Sequence, residues 1–196
     1  MAATQRRTGD ARSAAERILT TASQLFYEHG IRATGVNTIA ERAAVTKVTL
    51  YAHFGSKDGL VAAHLRARDQ RWWAEFDEFL AGCTTGADRL RAMFDAYQAW
   101  ALAGGFRGCG FVNAATELTA PEHPGHAIIN DHKEGIRRSL EAFAAEAGCT
   151  HPAEAAEEWF LLLEGATVTA SLRHSTEPLH RARRAALRRL DSASPQ

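Results

Sequence analysis

Cysteine is scarce in this chain, and the cysteines present have no pairing pattern. Cys83, Cys109 and Cys149 are odd in number, scattered and without C-x-x-C spacing, so neither a disulfide framework nor a cysteine zinc site is indicated. Long apolar runs are missing too. No stretch of about eighteen uninterrupted apolar residues occurs, which gives no candidate membrane span. The opening MAATQRRTGDARSAAER is polar and lacks the apolar centre of a secretory signal; a soluble, cytoplasmic protein is expected. Alternating strand patterns are nearly absent. Also lacking are a nucleophile elbow and a phosphate-binding loop, and Cys109 with a histidine would want a third orienting group that the sequence does not place. No enzyme activity, cofactor or bound metal is therefore expected.

What is present is a chain of 196 residues, 45% of them hydrophobic, enough for a real core in one domain or in a small domain joined to a larger one. Apolar residues recur at three-to-four spacing, so the fold class is all-α. The first helix is expected from about Ala11 to Tyr27, with Ile18, Ala22, Leu25 and Phe26 on one face, and His29-Gly30 stopping it. A short helix over roughly Val36 to Ala43 follows. Another runs from about Lys47 to His53 with Thr46 as its cap, and Ser56 caps a long helix from Lys57 to about Leu80. Further helices are expected at about 86–103, 108–118, 125–147, 152–173 and 177–190, broken most clearly at Gly104-Gly105 and at Pro121 and Pro124. The first ten residues and the terminal SASPQ read as loose ends.

The formal net charge is zero, yet it is unevenly spread. Residues 1–64 carry eight basic and five acidic side chains, a net +3, and the remainder is net −3. A basic N-terminal piece on an acidic body favours attraction to phosphate.

Within that basic piece, AVTKVTLYAHF at 44–54 lines up polar side chains where a purely supporting helix would scatter them. Two short helices joined by a tight turn at Ala43-Ala44-Val45, the second rich in small polar and aromatic residues, form a helix-turn-helix pattern whose second helix enters the major groove. Val45 and Leu50 would plug into Ile39, Ala40 and the first helix. The threonine methyls and hydroxyls, Tyr51 and His53 would then reach base edges or phosphates, and Lys47 and Lys57 would suit phosphates. The bland alternative is a solvated, non-functional face.

The run RILTTASQLFYEHGIRATGVNTIAERAAVTKVTLYAHFGSKDGLVAAHL, residues 17–65, closely resembles the DNA-binding domain of the tetracycline-repressor (TetR) family of bacterial regulators. It joins in order an A-x-x-L-F helix, H-G, T-x-x-x-I-A, V-T-K-x-T-L-Y-x-H-F and S-K. The resemblance implies a homodimer that binds double-stranded operator DNA and releases it when a small-molecule effector enters a C-terminal helical domain. It maps the DNA-facing positions onto Asn37, Thr38, Thr46, Lys47, Val48, Thr49, Tyr51, His53 and Lys57. The chain departs from the family pattern in three places: Ala44 stands where a turn glycine is usual, Gly35 where serine or threonine is usual, and Val48 where glycine is common. The expected organisation is a flexible arm over 1–10, a helix-turn-helix domain over 11–56, an effector-binding and dimerisation domain over 57–191, and a flexible tail over 192–196.

In the larger domain AAEEWFLLLEGATVTASL, residues 155–172, is too apolar for an exposed helix. Trp159, Leu162, Leu163, Ala166, Val168 and Ala170, with Gly165 allowing close approach, would pair with a symmetry mate as a four-helix bundle together with the last helix, or be buried inside one subunit. The run RARRAALRR at 181–189 reads as a solvated face pairing with Glu154, Glu157, Glu158 and Glu164 rather than as a DNA tail. The stretch GFRGCGFVNAATELTAPEHPGHAIINDHK, residues 105–133, resembles one branch of the TetR family. There Asn113 and Glu117 lie one helical turn apart, where His132 could meet them and grip a polar ligand head or a divalent metal. The other reading is a satisfied polar network fixing two helices. Cys109, beside Arg107 near a helix start, suits an oxidant or electrophile sensor, or is simply a structural thiol. The candidate ligand-binding residues are Trp73, Tyr97, Trp100, Cys109, Asn113, Glu117 and His132. Trp72, Phe76, Phe94, Phe106 and Phe111 belong to the same aromatic set, some of it ordinary core. The competing function is a helical small-molecule-binding or thiol-sensing protein without specific DNA binding.

Overall fold

The computed structural model describes residues 13–193, with side chains through Leu190. The proposed arm over 1–10 lies outside the described residues, as do Arg6, Arg7 and Arg12 and the last three residues of the tail. All regular structure among the described residues is helical. The chain divides into two compact units, with the boundary between His64 and Leu65 inside a long helix.

In the first unit α1 spans Ala14–His29, α2 spans Val36–Arg42 and α3 spans Lys47–Phe54. The first helix starts at Ala14, where Ser13 closes a capping box. Its hydroxyl accepts from the Glu16 amide at 3.2 Å, and the Glu16 carboxylate accepts from the Ser13 amide at 2.7 Å. The α1 stripe Ile18, Ala22, Leu25 and Phe26 is buried, together with Ile39 of α2 and Leu50 of α3, so the three helices pack mutually. Thr46 caps α3 by accepting from the Thr49 amide at 3.1 Å. Helix α4 covers Lys57–Leu80. Its first turns belong to this unit: Leu60 and Val61 are buried, and the His64 imidazole lies 2.9 Å from the Ser23 hydroxyl, edge-on to Phe26.

The turn between α2 and α3 is held from outside. The Val45 amide donates to the Ala40 carbonyl at 3.0 Å, and the Arg17 guanidinium of α1 donates to the Ala43 carbonyl at 3.2 Å. Ala44 sits at φ 52°, in the left-handed region that a Cβ makes unfavourable by about 1–2 kcal/mol. The family's usual glycine would meet no such strain, although its greater freedom in the unfolded chain offsets part of the gain. Ala44→Gly is accordingly expected to stabilise the protein by about 0.5–1 kcal/mol, read as a higher thermal or urea midpoint; an unchanged or lower midpoint would mean the turn is not strained. At Gly35, the N-cap of α2, no side chain satisfies an amide.

The second unit contains the rest of α4, then α5 (Gly86–Ala103), α6 (Gly110–Glu117), α7 (Gly125–Glu146), α8 (Pro152–Arg173) and α9 (Glu177–Ala193). Residues 192 and 193, read from sequence as tail, complete α9. Helix α7 packs on α8, α8 on α9, and α5 on both α7 and α9. The core is built from Trp72 and Phe76 of α4, Met93 and Phe94 of α5, Ile136 and Leu140 of α7, and Trp159 and Leu163 of α8.

Helix α8 corrects the expectation of one apolar interface face. Trp159, Leu163, Ala166 and Ala170 are buried within the subunit, whereas Leu161, Leu162, Val168 and Leu172 are exposed. The basic run of α9 is tied differently from the expectation as well. Arg189 does reach Glu158, at 3.0 Å. Arg181 and Arg184 instead share Glu177 on their own helix, Arg183 bonds Asp95 of α5, and Glu164 is taken by Lys133 of α7.

Candidate nucleic-acid interface and effector cavity

On α3 only Leu50 is fully committed to the core. Lys47, Val48, Tyr51 and His53 are exposed and Thr49 is half-buried, while Asn37 and Thr38 are exposed in the first turn of α2. Val48 is 78% exposed and Tyr51 43%. An apolar side chain so open to water, on a helix otherwise offering polar groups, is suited to a thymine methyl in the major groove. Lys57, at the start of α4, is half-buried, and Ser56 caps that helix by accepting from the Gly59 amide at 2.9 Å. The Thr46 and Thr49 hydroxyls lie 2.9 Å apart and bond each other at the start of α3, both near the surface.

The second unit holds a partly open cavity, about 490 Å³ when the solvent-continuous space at its mouth is counted. Its wall includes Tyr97, Trp100, Cys109 and His132 from the expected set, joined by Arg68, Trp72, Phe106 and Phe111. Trp73, Asn113 and Glu117 do not line it. Trp73 turns to Asp69, its indole N–H donating at 2.9 Å, and packs on Gly135. The Asn113 amide donates to the Arg107 carbonyl at 2.8 Å. The anticipated meeting of Asn113, Glu117 and His132 is therefore replaced by another network. His132 Nδ1 lies 2.8 Å from Asp69 Oδ1, the atom that also accepts from Trp73, and its ring stacks on Phe111 with centroids 3.7 Å apart. Asp69 was missed in the sequence; its spacing of four from Trp73 on one helix face was the available signal. No group of histidine, cysteine and carboxylate side chains able to hold a metal occurs among the described residues.

Burial dominates the electrostatics of this wall. It lowers the His132 pKa to about 4, against the raising effect of the Asp69 hydrogen bond. The Tyr97 phenol is pushed well above its ordinary value, by burial first and then by the Glu164 charge, so its hydroxyl stays protonated. Lys133 Nζ donates to Glu164 at 2.5 Å and lies 3.5 Å from the Cys109 sulfur.

The His132 shift carries a pH dependence of known sign. Between about pH 6.5 and 4 the unfolded imidazole takes up a proton that the folded one refuses. Its stabilising effect is complete above 6.5 and is lost progressively toward 4. A lower urea midpoint at pH 5 than at pH 7 is expected, with the difference reduced in His132→Phe; an identical difference in that variant would assign it to other groups.

An exposed polar helix after a tight turn, followed in the chain by a separate helical unit with an aromatic cavity, defines a helix-turn-helix DNA-binding regulator. Residues 18–64 match the family model for bacterial regulatory proteins of the tetR family, and residues 86–186 match the tetracyclin repressor-like C-terminal domain. The second match covers half of the chain, and the protein belongs to the TetR family of transcriptional regulators. Its matches with the transcriptional activator FasR of Mycolicibacterium smegmatis (36% identity) and the repressor KstR2 of Mycobacterium tuberculosis (32%) span 41% and 44% of the chain, and 36% and 43% of those proteins. The transcriptional regulator AcuR of Cereibacter sphaeroides is 28% identical over 87% of the chain and 82% of its own length. The fold matches that of SCO4454, a TetR-family regulator from Streptomyces coelicolor, with a TM-score of 0.84 and 29% identity over 90% of this chain and 95% of that one. These relatives are regulators, not enzymes. No helix among the described residues is long and apolar enough to cross a membrane.

Proposed function

We propose that the protein is a cytoplasmic homodimeric repressor that leaves a pseudo-palindromic operator when a small molecule occupies the cavity of the second unit. The observation that carries this reading is α3 itself, which offers Lys47, Val48, Tyr51 and His53 to the outside while Leu50 anchors it. Asn37, Thr38, Thr46, Thr49 and Lys57 complete the surface that would meet DNA. Repression is the economical sign of control, since occlusion of a promoter needs only binding and release.

Dimerisation is supported by α8. Leu161, Gly165, Val168 and Leu172 recur at four, three and four residues, all exposed, and a Cβ at Gly165 would meet nothing within 4 Å. Such a stripe lets a second helix approach closely, and a two-fold pair would present two copies of α3 to two half-sites. The effector acts only to the extent that it binds the released state better than the DNA-bound one.

The test is binding of the purified protein to DNA fragments from around its own gene, with excess nonspecific competitor and across a salt series. Retention of one fragment, with affinity falling as salt rises, is the expected result. Indiscriminate binding would leave only a basic surface, and no binding at low salt would favour the helical ligand-binding reading without DNA.

A further inference from the structure

The wall of the cavity narrows the chemistry of its ligand, an inference that rests on the effector reading for its biological role. Arg68 is the one charged side chain lining the cavity among the described residues, and no carboxylate lines it. The guanidinium lies over the Trp100 ring, 4.7 Å from its centroid, and passes so close to α6 that a Cβ on Gly110 would sit 2.5 Å from Arg68 Nε. Beside it the wall contains two buried donors that have no partner, the Trp72 indole N–H and the Tyr97 hydroxyl. Their rings are 4.7 Å apart, edge to face.

A buried donor without an acceptor is costly, and an indole N–H can only donate. The Trp73 indole on the same helix has its acceptor in Asp69, and the Trp159 indole of α8, outside the cavity wall, lacks a partner as well; Trp72 and Tyr97 are the two such residues that also line the cavity beside Arg68. Positive charge and two unanswered donors call for an anion with acceptor oxygens. The rest of the wall brings the rings of Trp100, Phe106 and Phe111 together with His132, Cys109, Thr167 and Ser171, and the flat rings favour a planar body. A cation would face Arg68 with no carboxylate in the wall to answer it. A phosphate would place most of its oxygens against rings.

We infer that the cavity takes a small planar carboxylate, aromatic or conjugated, with its carboxylate toward Arg68 and the Trp72 and Tyr97 donors and its plane among the aromatic rings. The wall thereby selects for charge through Arg68 and for acceptor geometry through the orphaned donors.

The test titrates the intact 196-residue chain with benzoate and trans-cinnamate, and with benzamide, cinnamamide and benzylamine as shape-matched neutral and cationic controls. Calorimetry and tryptophan fluorescence read binding, and release of operator DNA is followed in parallel. Saturable binding of a carboxylate, about tenfold or more tighter than its amide, is expected, with no binding of the amine. Arg68→Gln should weaken the carboxylate about tenfold while leaving the amide nearly unchanged, and Tyr97→Phe should also weaken the carboxylate about tenfold. Should Arg68→Gln fail to fold, Tyr97→Phe carries the comparison, since it removes one oxygen from a ring that otherwise stays in place. Equal affinity for acid and amide, no saturable binding of either acid, or a carboxylate affinity indifferent to both variants would overturn the inference. An amide that binds as tightly as its acid and releases DNA would overturn the carboxylate class and leave the effector reading standing. A carboxylate that binds and does not release DNA would do the reverse.

Discussion

Tyr51→Ala and Lys47→Ala are each expected to weaken operator binding by about tenfold or more while leaving the dimer and its thermal midpoint nearly unchanged. Both side chains are exposed on α3 and neither is part of the buried core, so truncation removes little packing. The two losses should differ in kind. Lys47, at the first position of α3, suits a phosphate; its removal should weaken specific and nonspecific DNA alike and reduce the salt slope by about one. Tyr51, one turn further along, should matter more for the operator than for random DNA. Fluorescence anisotropy over a salt series, with both DNAs, separates these outcomes. Unchanged affinity in both variants would move the DNA-facing surface off α3, and loss of the dimer would make the residues structural.

Leu172→Asp should split the dimer. Leu172 is 78% exposed in the single chain, so aspartate there costs the monomer little, but pairing of two α8 stripes would bury the carboxylate without a partner, a cost of several kcal/mol. A shift to monomer in sedimentation or light scattering, with helical content retained, is the expected result. Operator affinity should fall with it by about a hundredfold or more, because each half-site contact then loses its linked neighbour. Gly165→Leu gives a second route to the same end: the side chain has open space in the monomer and would hold two helices apart. Dimers that persist in both variants would place the interface elsewhere.

Much of the helical framework was legible from local signals. Thr46, Ser56 and Gly55 cap or stop their helices through bonds within four residues, and such short-range chemistry is written directly in the sequence. Likewise the burial of Ile18, Ala22, Leu25 and Phe26 follows from their spacing alone. The exposed side chains of α3 were legible for the same reason, since one anchoring leucine determines which face remains outside. The Thr46–Thr49 bond was not anticipated, although both residues were named, because two hydroxyls choose between a ligand and each other only once the helix start is built.

The cavity is a different matter. Tyr97, Trp100, Cys109 and His132 were named from sequence and do share a wall, but Asn113 and Glu117 were grouped with His132 on spacing within α6, and spacing says nothing about which neighbour α7 turns toward. His132 meets Asp69, sixty-three residues away in sequence. Helix α8 makes the same point: its apolar content was evident, while the division between Trp159, Leu163, Ala166 and Ala170 inside and Leu161, Val168 and Leu172 outside depended on where α7 and α9 lie against it.

By itself the sequence determined that the chain is helical, which caps and breaks bound most of its helices, and which short helix keeps polar side chains on the outside, because periodicity, caps and turns act over a few residues. Only the tertiary structure decided which aromatic rings enclose a cavity, that Arg68 and two unpartnered donors share its wall, and which stripe of α8 stays uncovered. Those outcomes depend on the packing of helices distant in sequence, where burial and hydrogen bonding are settled jointly by side chains that no local pattern relates.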